Sequence, residues 1–363
     1  MIDWASSDDS WEMGLAVPEH SRAQVDKAGA RLAKNHSEPD DGLIRAVEVV
    51  NNWRASHTYP LNVFQMTLRN RAKTTYPSAV VTQRLKRIVS IEAKLRNLPG
   101  MQLSRMQDIG GCRAVVATVT HVDRLANKYK ETGYHEYVRE FDYLRQPKTS
   151  GYRGIHLIYR YHAGNERSRM YDKLSIEIQL RSRHQHAWAT AVEAVDTFTG
   201  QALKAGHGNP AWERFFALMG TVLARLENTQ TIPGTPTTKA AVRRELAEAV
   251  AEVNAVETLK AYRTSIAVST GPALTAGVKP AWFVLLLDFD SSRVTMWSYE
   301  TSQMETAIAH LAKLEEEARE RPTMNVVLVG AESMKAVRRA YPNYFLDTGL
   351  FIEEVQKALG RRQ

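Results

Sequence analysis

The sequence predicts an α+β protein, and three observations carry that expectation. Leu174, Ile176, Ile178 and Leu180 alternate with Ser175, Glu177, Gln179 and Arg181, the period of a strand with one buried face. Helical and strand-like stretches alternate on either side of it. After a Pro- and Gly-containing stretch, Asn228 to Thr238, further strands and helices follow as a second, smaller α+β domain.

Composition bounds the possibilities. A chain of 363 residues can bury a substantial core and suits two domains. Its 44% apolar and 24% charged residues are those of a globular protein. The longest notable apolar run, Ala281 to Leu287, is far short of the ~20 residues a membrane helix needs. Asp3, Asp8 and Asp9 do not fit the basic-then-apolar plan of a signal peptide, so a cytoplasmic protein with no membrane partner is expected. The single cysteine, Cys112, rules out an internal disulfide and a multi-cysteine zinc site. A net charge of +8 favours polyanionic partners.

In chain order, Met1 to Val17 shows no clean periodicity. Pro18 to Lys34, Asp41 to Ser56 and Pro60 to Lys73 read as helices, the second with Leu43, Ile44, Val47, Val50 and Trp53 on one face. Arg54 and His57, then Arg69, Arg71 and Lys73, leave two readings open: a solvated helix face or a groove for a nucleic-acid backbone. Thr82 to Asn97 reads as a short helix crowded with Arg84, Lys86, Arg87, Lys94 and Arg96, a crowding easier to understand if a polyanion neutralises it. Asp108-Ile109-Gly110-Gly111 is a turn that leads through Arg113 into a strand, Ala114 to Val119.

A helix, His121 to Thr132, and a strand, Glu136 to Tyr143, precede a basic turn: Pro147-Lys148-Thr149-Ser150, then Gly151-Tyr152-Arg153-Gly154. Such a turn can set an aromatic ring against a base and cations against phosphate. A strand, Ile155 to Tyr161, follows. After Arg181, residues Arg183 to Phe198 read as a helix with Trp188, Val192 and Val195 inward; His184 and His186, two apart, point apart and do not suit a metal pair. Trp212, Phe215, Phe216, Met219, Leu223 and Leu226 mark another amphipathic helix, and Lys239 to Tyr262 a long one. Strands are expected around Arg263 to Ser269, Trp282 to Phe289, Arg293 to Tyr299 and Met324 to Val329, with a helix from Thr301 to Arg319.

The motifs in the middle of the chain resemble the synthetase domain of the RelA/SpoT alarmone family, whose pattern runs DY…PK…GYR…H, then EIQ-[IL]-R, then H…WA. They stand here as Asp142-Tyr143, Pro147-Lys148, Gly151-Tyr152-Arg153 with His156, Glu177-Ile178-Gln179-Leu180-Arg181, and His186 with Trp188-Ala189. The resemblance implies a nucleotidyltransferase-like mixed sheet flanked by helices, and transfer of the β,γ-pyrophosphate of ATP to a ribose 3′-hydroxyl. It implies that Arg84, Lys86, Ser90, Ile91 and Lys94 form an ATP-phosphate motif, that Asp108 holds Mg²⁺, and that Arg113 packs on the adenine. Glu177 is then the candidate general base and second metal contact. Tyr152 stacks on the acceptor base, with Lys148, Arg153, His156, Gln179 and Arg181 on the acceptor side. No G-x-x-x-x-G-K-[ST] stretch occurs, which argues against a P-loop kinase, and no His-Asp dipeptide, which argues against an alarmone hydrolase domain.

The C-terminal half is similar to the cysteine-free pseudo-zinc-finger antitoxin domain of fused toxic alarmone synthetases of the CapRel type. Tyr341 and Tyr344 match a Y-x-x-Y motif that in that family masks the ATP pocket. The resemblance implies a toxin that pyrophosphorylates the 3′-end of tRNA, held inactive in cis and released by a phage structural protein such as a major capsid protein, with no zinc. Glu193-Ala194-Val195-Asp196, where many alarmone synthetases place a Glu-His pair, tells against a simple ppGpp synthetase. A (p)ppGpp or (p)ppApp synthetase acting on free nucleotides, and a non-catalytic sensor of a phage protein, are the alternatives. The expected organisation is an N-terminal helical region at 1–80, the pyrophosphokinase domain at 81–228, a linker and connecting helix at 229–262, and the antitoxin or sensor domain at 263–363.

Overall fold

The computed structural model describes residues 16–34, 40–131, 133–199, 208–264, 267–270, 281–288, 290–291, 293–319, 321, 324–331, 333–340 and 348–360. Three helices come first, α1 (Arg22–Leu32), α2 (Asp41–Ser56) and α3 (Thr58–Thr75). Then follow β1 (Val80–Leu85), α4 (Ile88–Asn97), β2 (Gly110–Val116), α5 (Val119–Glu131), β3 (Glu136–Asp142), β4 (Ile155–Arg160) and β5 (Ser175–Ser182). Helices α6 (Arg183–Thr199), α7 (Pro210–Leu226), α8 (Lys239–Glu252) and α9 (Ala255–Thr264) are next. The chain closes with β6 (Ala267–Thr270), β7 (Trp282–Asp288), β8 (Arg293–Tyr299), α10 (Met304–Arg319), β9 (Met324–Gly330), α11 (Met334–Ala340) and α12 (Gly349–Ala358).

Among the described residues the strands form one sheet in the order β3-β4-β5-β2-β1-β9-β7-β8-β6, mixed because β2 pairs parallel to β5 and β6 parallel to β8. On one face, Leu61, Phe64 and Leu68 of α3 and Leu125 of α5 bury Cys112, Ala114, Ile176 and Ile178. Arg84 of β1, Arg113 of β2 and Glu177, Gln179 and Arg181 of β5 point to the other face, where they are available for polar work. Helices α6 to α9 and α12 make a separate apolar cluster around Trp212, Phe215 and Phe216.

The C-terminal strands are not a detached layer. Strand β9 pairs antiparallel with β1 at Gln83–Gly330 and Arg84–Val329, so they extend the sheet that holds β2 and β5. Val80 and Val115 share a core cluster with Phe283, Leu285, Val329 and Val337, which seals the junction. The sequence boundary at residue 263 therefore separates segments of one continuous sheet.

Two sequence expectations change. Thr82–Asn97 is not one helix: Val80, Val81 and the β-branched Thr82 pair along β2, and the helix starts only at Ile88. Lys239–Tyr262 is broken at Asn254, whose φ of 46° ends one helix before the next begins; asparagine tolerates that left-handed geometry better than most residues.

The face toward α3 contains a titratable group held neutral. Burial pushes His57 down to about 4, although its Nδ1 lies 2.7 Å from the Trp53 carbonyl. Between pH 6.5 and 4 the unfolded chain therefore binds a proton that the folded chain does not, and stability falls as pH falls through that window. His57→Gln should remove about 3 kcal/mol of this acid sensitivity, read as a flatter dependence of the urea midpoint on pH from 7 to 4.

Candidate active site

The register of three neighbouring strands builds the site. Arg84 of β1 lies opposite Gly111 of β2, Thr82 opposite Arg113, and across the parallel pair Gly111 faces Glu177 and Arg113 faces Gln179. Gly111 has no side chain, so an opening is left between Arg84 and Glu177. A cavity of about 50 Å³ sits there, lined by Arg84, Lys86, Asp108, Gly111, Cys112, Arg113, Glu177 and Gln179. Asp108 comes from the turn before β2, and Lys86 from the turn between β1 and α4.

Charges at this cavity neutralise one another, with Lys94 reaching Asp108 although it is not among the lining residues. Lys86 Nζ and Lys94 Nζ each lie 2.9 Å from a different oxygen of Asp108. Burial alone would raise the Asp108 carboxyl, but the two ammonium groups outweigh it and hold it below the usual carboxylate range. Burial also draws Lys86 below its ordinary value, against the pull of Asp108. Cys112 is fully buried, which pushes its thiol up and leaves it unreactive.

Glu177 anchors a closed ring of hydrogen bonds. His156 Nδ1 lies 2.8 Å from Glu177 Oε1, and Gln179 Nε2 donates to Oε2 at 2.7 Å. Arg181 Nη2 donates to Gln179 Oε1 at 3.2 Å and to the Tyr152 hydroxyl at 3.0 Å, and that hydroxyl meets His156 Nε2. Burial opposes ionisation of Glu177, yet His156 and the Gln179 amide hold its carboxyl far below the usual range. Burial likewise opposes the charged imidazole, but Tyr152 and Glu177 lift His156 to about 9. For Tyr152, burial is outweighed by Arg181 and His156, which bring it down to about 8.

Beyond Tyr152 opens a larger cleft of about 560 Å³. Lys148, Tyr152, His156, Gln179 and Arg181 line one side, Trp188, Val192 and Glu193 of α6 another, and Glu213, Arg214, Phe216 and Ala217 of α7 the third. It shares Arg84, Arg113 and Gln179 with the smaller cavity, so the two meet across Glu177's strand face. Lys148 Nζ stands 4.7 Å from the centre of the Tyr143 ring and 5.6 Å from that of Tyr152.

Arg153 does not reach the cleft. Its side chain is 1% exposed, pairs with Glu227 at 2.8 Å and donates to Thr229 at 2.9 Å, so it fastens the turn to the end of α7. Ser90 lines neither cavity. Tyr341 and Tyr344 lie outside the described residues. Of the two readings of the N-terminal basic residues, neither holds for Arg54 and His57, which are 4% and 1% exposed. Arg71 caps the Tyr129 ring at 4.4 Å. Sequence reasoning missed Glu227, the partner of Arg153, and Glu213 and Arg214 at the outer end of the cleft; only their place on the polar side of an amphipathic helix pointed to them.

The turn that presents Tyr152 depends on a glycine. Gly151 has φ 99°, and a Cβ there would stand 2.6 Å from the Phe216 carbonyl and 3.0 Å from Trp188. The basic turn is thus pressed onto α7, with Gly220 of that helix giving way for it.

The arrangement has the parts of phosphoryl-group transfer: cations for a polyphosphate, an ionised carboxylate beside them, and an acceptor-side cleft meeting both. Asp108 and Glu177 are two carboxylates facing one cavity, the number Mg²⁺ takes when phosphate and water supply the rest, so the donor set fits. Those two residues would hold it, and the ion would neutralise phosphate charge. Among the described residues no cluster of three or more His, Cys, Asp or Glu could hold a metal, and no helix is long and apolar enough to cross a membrane.

Residues 83–198 match the region found in RelA/SpoT proteins. It runs from β1 into α6 and includes every residue from Arg84 to Trp188 named above. The chain is 29% identical over 116 residues to GTP pyrophosphokinase YjbM of Bacillus subtilis, covering 31% of this chain and 54% of that protein. It thus spans about half the length of the curated relative it matches. Among solved structures it is similar to small alarmone synthetase 2 of B. subtilis, with TM-score 0.42 and 18% identity over 49% of this chain and 93% of that one. Small alarmone synthetase 1 of B. subtilis bound to its product pppGpp gives TM-score 0.40 and 21% identity over 59% and 100%.

Gly151→Ala combines left-handed strain with overpacking against α7, and should cost about 3 kcal/mol in stability. Chemical denaturation measures that loss.

Proposed function

We propose that this protein is an ATP-dependent pyrophosphokinase that transfers the β,γ-pyrophosphate of ATP to a ribose 3′-hydroxyl. The observation that carries the reading is the meeting of the two cavities along one strand face. Lys86, Lys94 and Asp108 stand on the donor side, Tyr152 and Lys148 on the acceptor side, and Glu177 between them. In the proposed reaction Arg84, Lys86 and Lys94 take the charge of the triphosphate, and the Glu177 carboxylate accepts the proton of the attacking hydroxyl. The relative from B. subtilis named for GTP pyrophosphokinase activity supports the reaction class.

For the acceptor we favour the 3′-terminal adenosine of tRNA over a free nucleotide. The acceptor cleft is some ten times the volume of the donor cavity and opens past Arg181 and Lys148 to Arg214, which suits the end of a polymer. For regulation we favour inhibition in cis by the C-terminal strands, with release by a phage structural protein. Ligand pockets occupy roughly 300 Å³ or more, and a donor cavity of about 50 Å³ is small beside that, which supports reading this structure as the inhibited form. Helix α11, which directly precedes Tyr341 and Tyr344, packs through Val337 against Val80 and Val115 on the face that carries Arg84 and Arg113.

The test is transfer of label from γ-³²P-ATP into bulk tRNA, GDP, GTP and AMP side by side, using the full chain and its Tyr341→Ala/Tyr344→Ala variant. Label in tRNA, greater in the double variant, is expected; label confined to free nucleotides would replace the tRNA reading with alarmone synthesis. Glu177→Gln in the double variant should lower transfer by at least about 100-fold. Transfer that survived this change would remove the carboxylate from the mechanism.

A further inference from the structure

The cleft beside Tyr152 has more room than one nucleoside needs. At about 560 Å³ it is close to twice the roughly 300 Å³ at which pockets for small ligands begin, so an acceptor stacked on Tyr152 leaves its outer part unfilled. Trp188 of α6 and Phe216 of α7 mark the Tyr152 end, because Gly151 of that turn is pressed against both. From there α6 runs on to Glu193 and α7 runs back to Glu213 and Pro210, all of which line the cleft. By the 1.5 Å rise per residue, the two carboxylates lie about 4 to 8 Å beyond the Tyr152 end. That is the reach of one further nucleotide.

The floor of this outer part is apolar. Trp188 donates from Nε1 to the Phe216 carbonyl at 2.9 Å, so its only polar atom is used internally, and Val192 and Ala217 continue the surface with hydrocarbon. Such a floor receives the flat face of a base. Charge then decides what meets the edge of that base. The inner end carries Lys148 and Arg181, whereas the outer end carries Glu193 and Glu213. Arg214 does not cancel them, because it pairs with Glu245 and donates from Nη1 to the Gly234 carbonyl at 2.9 Å. Glu213 Oε1 accepts from the Gly208 amide at 2.9 Å, which holds the carboxylate in the first turn of α7. A carboxylate there repels a 5′-polyphosphate and accepts from an amine on a base edge.

We propose that the outer part of the cleft is a second base subsite: the nucleotide preceding the acceptor lays its base on Trp188, Val192 and Ala217, and Glu213, aided from α6 by Glu193, accepts from that base's exocyclic amine. The occupant is an RNA 3′ end whose penultimate base carries an amine, cytosine in preference to uracil. Uracil sets a carbonyl oxygen where cytosine has its amine, and that oxygen faces the carboxylate with no donor between them. This rests on the reading of the larger cleft as the acceptor site.

The experiment measures binding of two short single-stranded RNAs to the full chain by anisotropy of a 5′-fluorescein, at one salt concentration. The RNAs differ only in the penultimate base, cytosine or uracil, and both end in 3′-deoxyadenosine, so neither can accept a group. The cytosine RNA should bind at least about tenfold more tightly. In Glu193→Gln/Glu213→Gln the ratio should fall to about threefold or less, because a carboxamide can also donate to the uracil carbonyl. Equal affinities for the two RNAs, or no binding of either, overturn the subsite, and that comparison needs only the unaltered chain if the double variant does not accumulate. A full preference kept by the double variant overturns the role of the two carboxylates. Transfer is read separately, with γ-³²P-ATP and the same RNAs bearing a free 3′-hydroxyl, in the Tyr341→Ala/Tyr344→Ala variant. RNA that binds with the preference but takes no label would sink the pyrophosphokinase reading and leave the subsite standing; label entering cytosine and uracil RNAs equally, each below saturation, would do the reverse.

Discussion

The parallel pairing of β2 with β5 is the constraint on which the site depends. It sets Gly111 beside Glu177 and Arg113 beside Gln179. Because side chains alternate along a strand, the same register sends Cys112, Ile176 and Ile178 into the core under α3. A slip of one residue would turn Glu177 into that core and bring an isoleucine to the cavity. Gly110 guards against the slip from below: a Cβ there would stand 2.7 Å from Ile176, so β2 fits only with its glycine over that side chain.

Given this register, the electrostatics of the resting site follow from proximity. Asp108 is gripped by two lysines and Glu177 by His156 and Gln179, so both carboxylates are ionised and both are satisfied internally. Such a site has no net appetite for a lone cation. A polyanion, by contrast, can draw Lys86 and Lys94 off Asp108 and expose that carboxylate, which makes metal and polyphosphate natural companions in binding. Lys86 and Lys94 occupy the two oxygens of Asp108 that a bound cation would use.

Much of this was legible in the sequence and some of it was not, for a physical reason. The alternation in Leu174–Arg181 placed Glu177, Gln179 and Arg181 on one face, and the hydrogen-bonded ring now joins all three. Local pattern showed Asp108 in a turn and Lys86 and Lys94 in a crowded basic run, the resemblance put them in one site, and they meet. Periodicity is blind to partners distant in the chain. Arg54 read as a surface cation because its partner, Glu315, is 261 residues away; Arg153 read as an acceptor-binding cation because nothing near it announced Glu227. The basic run Thr82–Asn97 read as a helix because charge and spacing say nothing of β2 and β9, the two neighbours that make its first part a strand.

The burial of Arg54 and His57 also bears on where, in the proposed function, an acceptor would be selected. Helix α3 covers the side of the sheet opposite Glu177, so whatever positive charge it presents to solvent is separated from the reacting face by the sheet itself. In the proposed reaction the acceptor would meet instead the cleft between the Tyr152 turn, α6 and α7. Its outer wall, Pro210, Glu213, Arg214, Phe216 and Ala217, lies beyond residue 198, past the end of the matched region. The smaller cavity therefore lies within the matched region, while the outer wall of the larger cleft is a helix that the match does not cover. Through Gly151 pressed against Gly220, and Arg153 locked to Glu227, that same helix sets where Tyr152 stands. Changes in α7 can thus move the Tyr152 turn and reshape the larger cleft without touching Arg84, Lys86, Lys94 or Asp108.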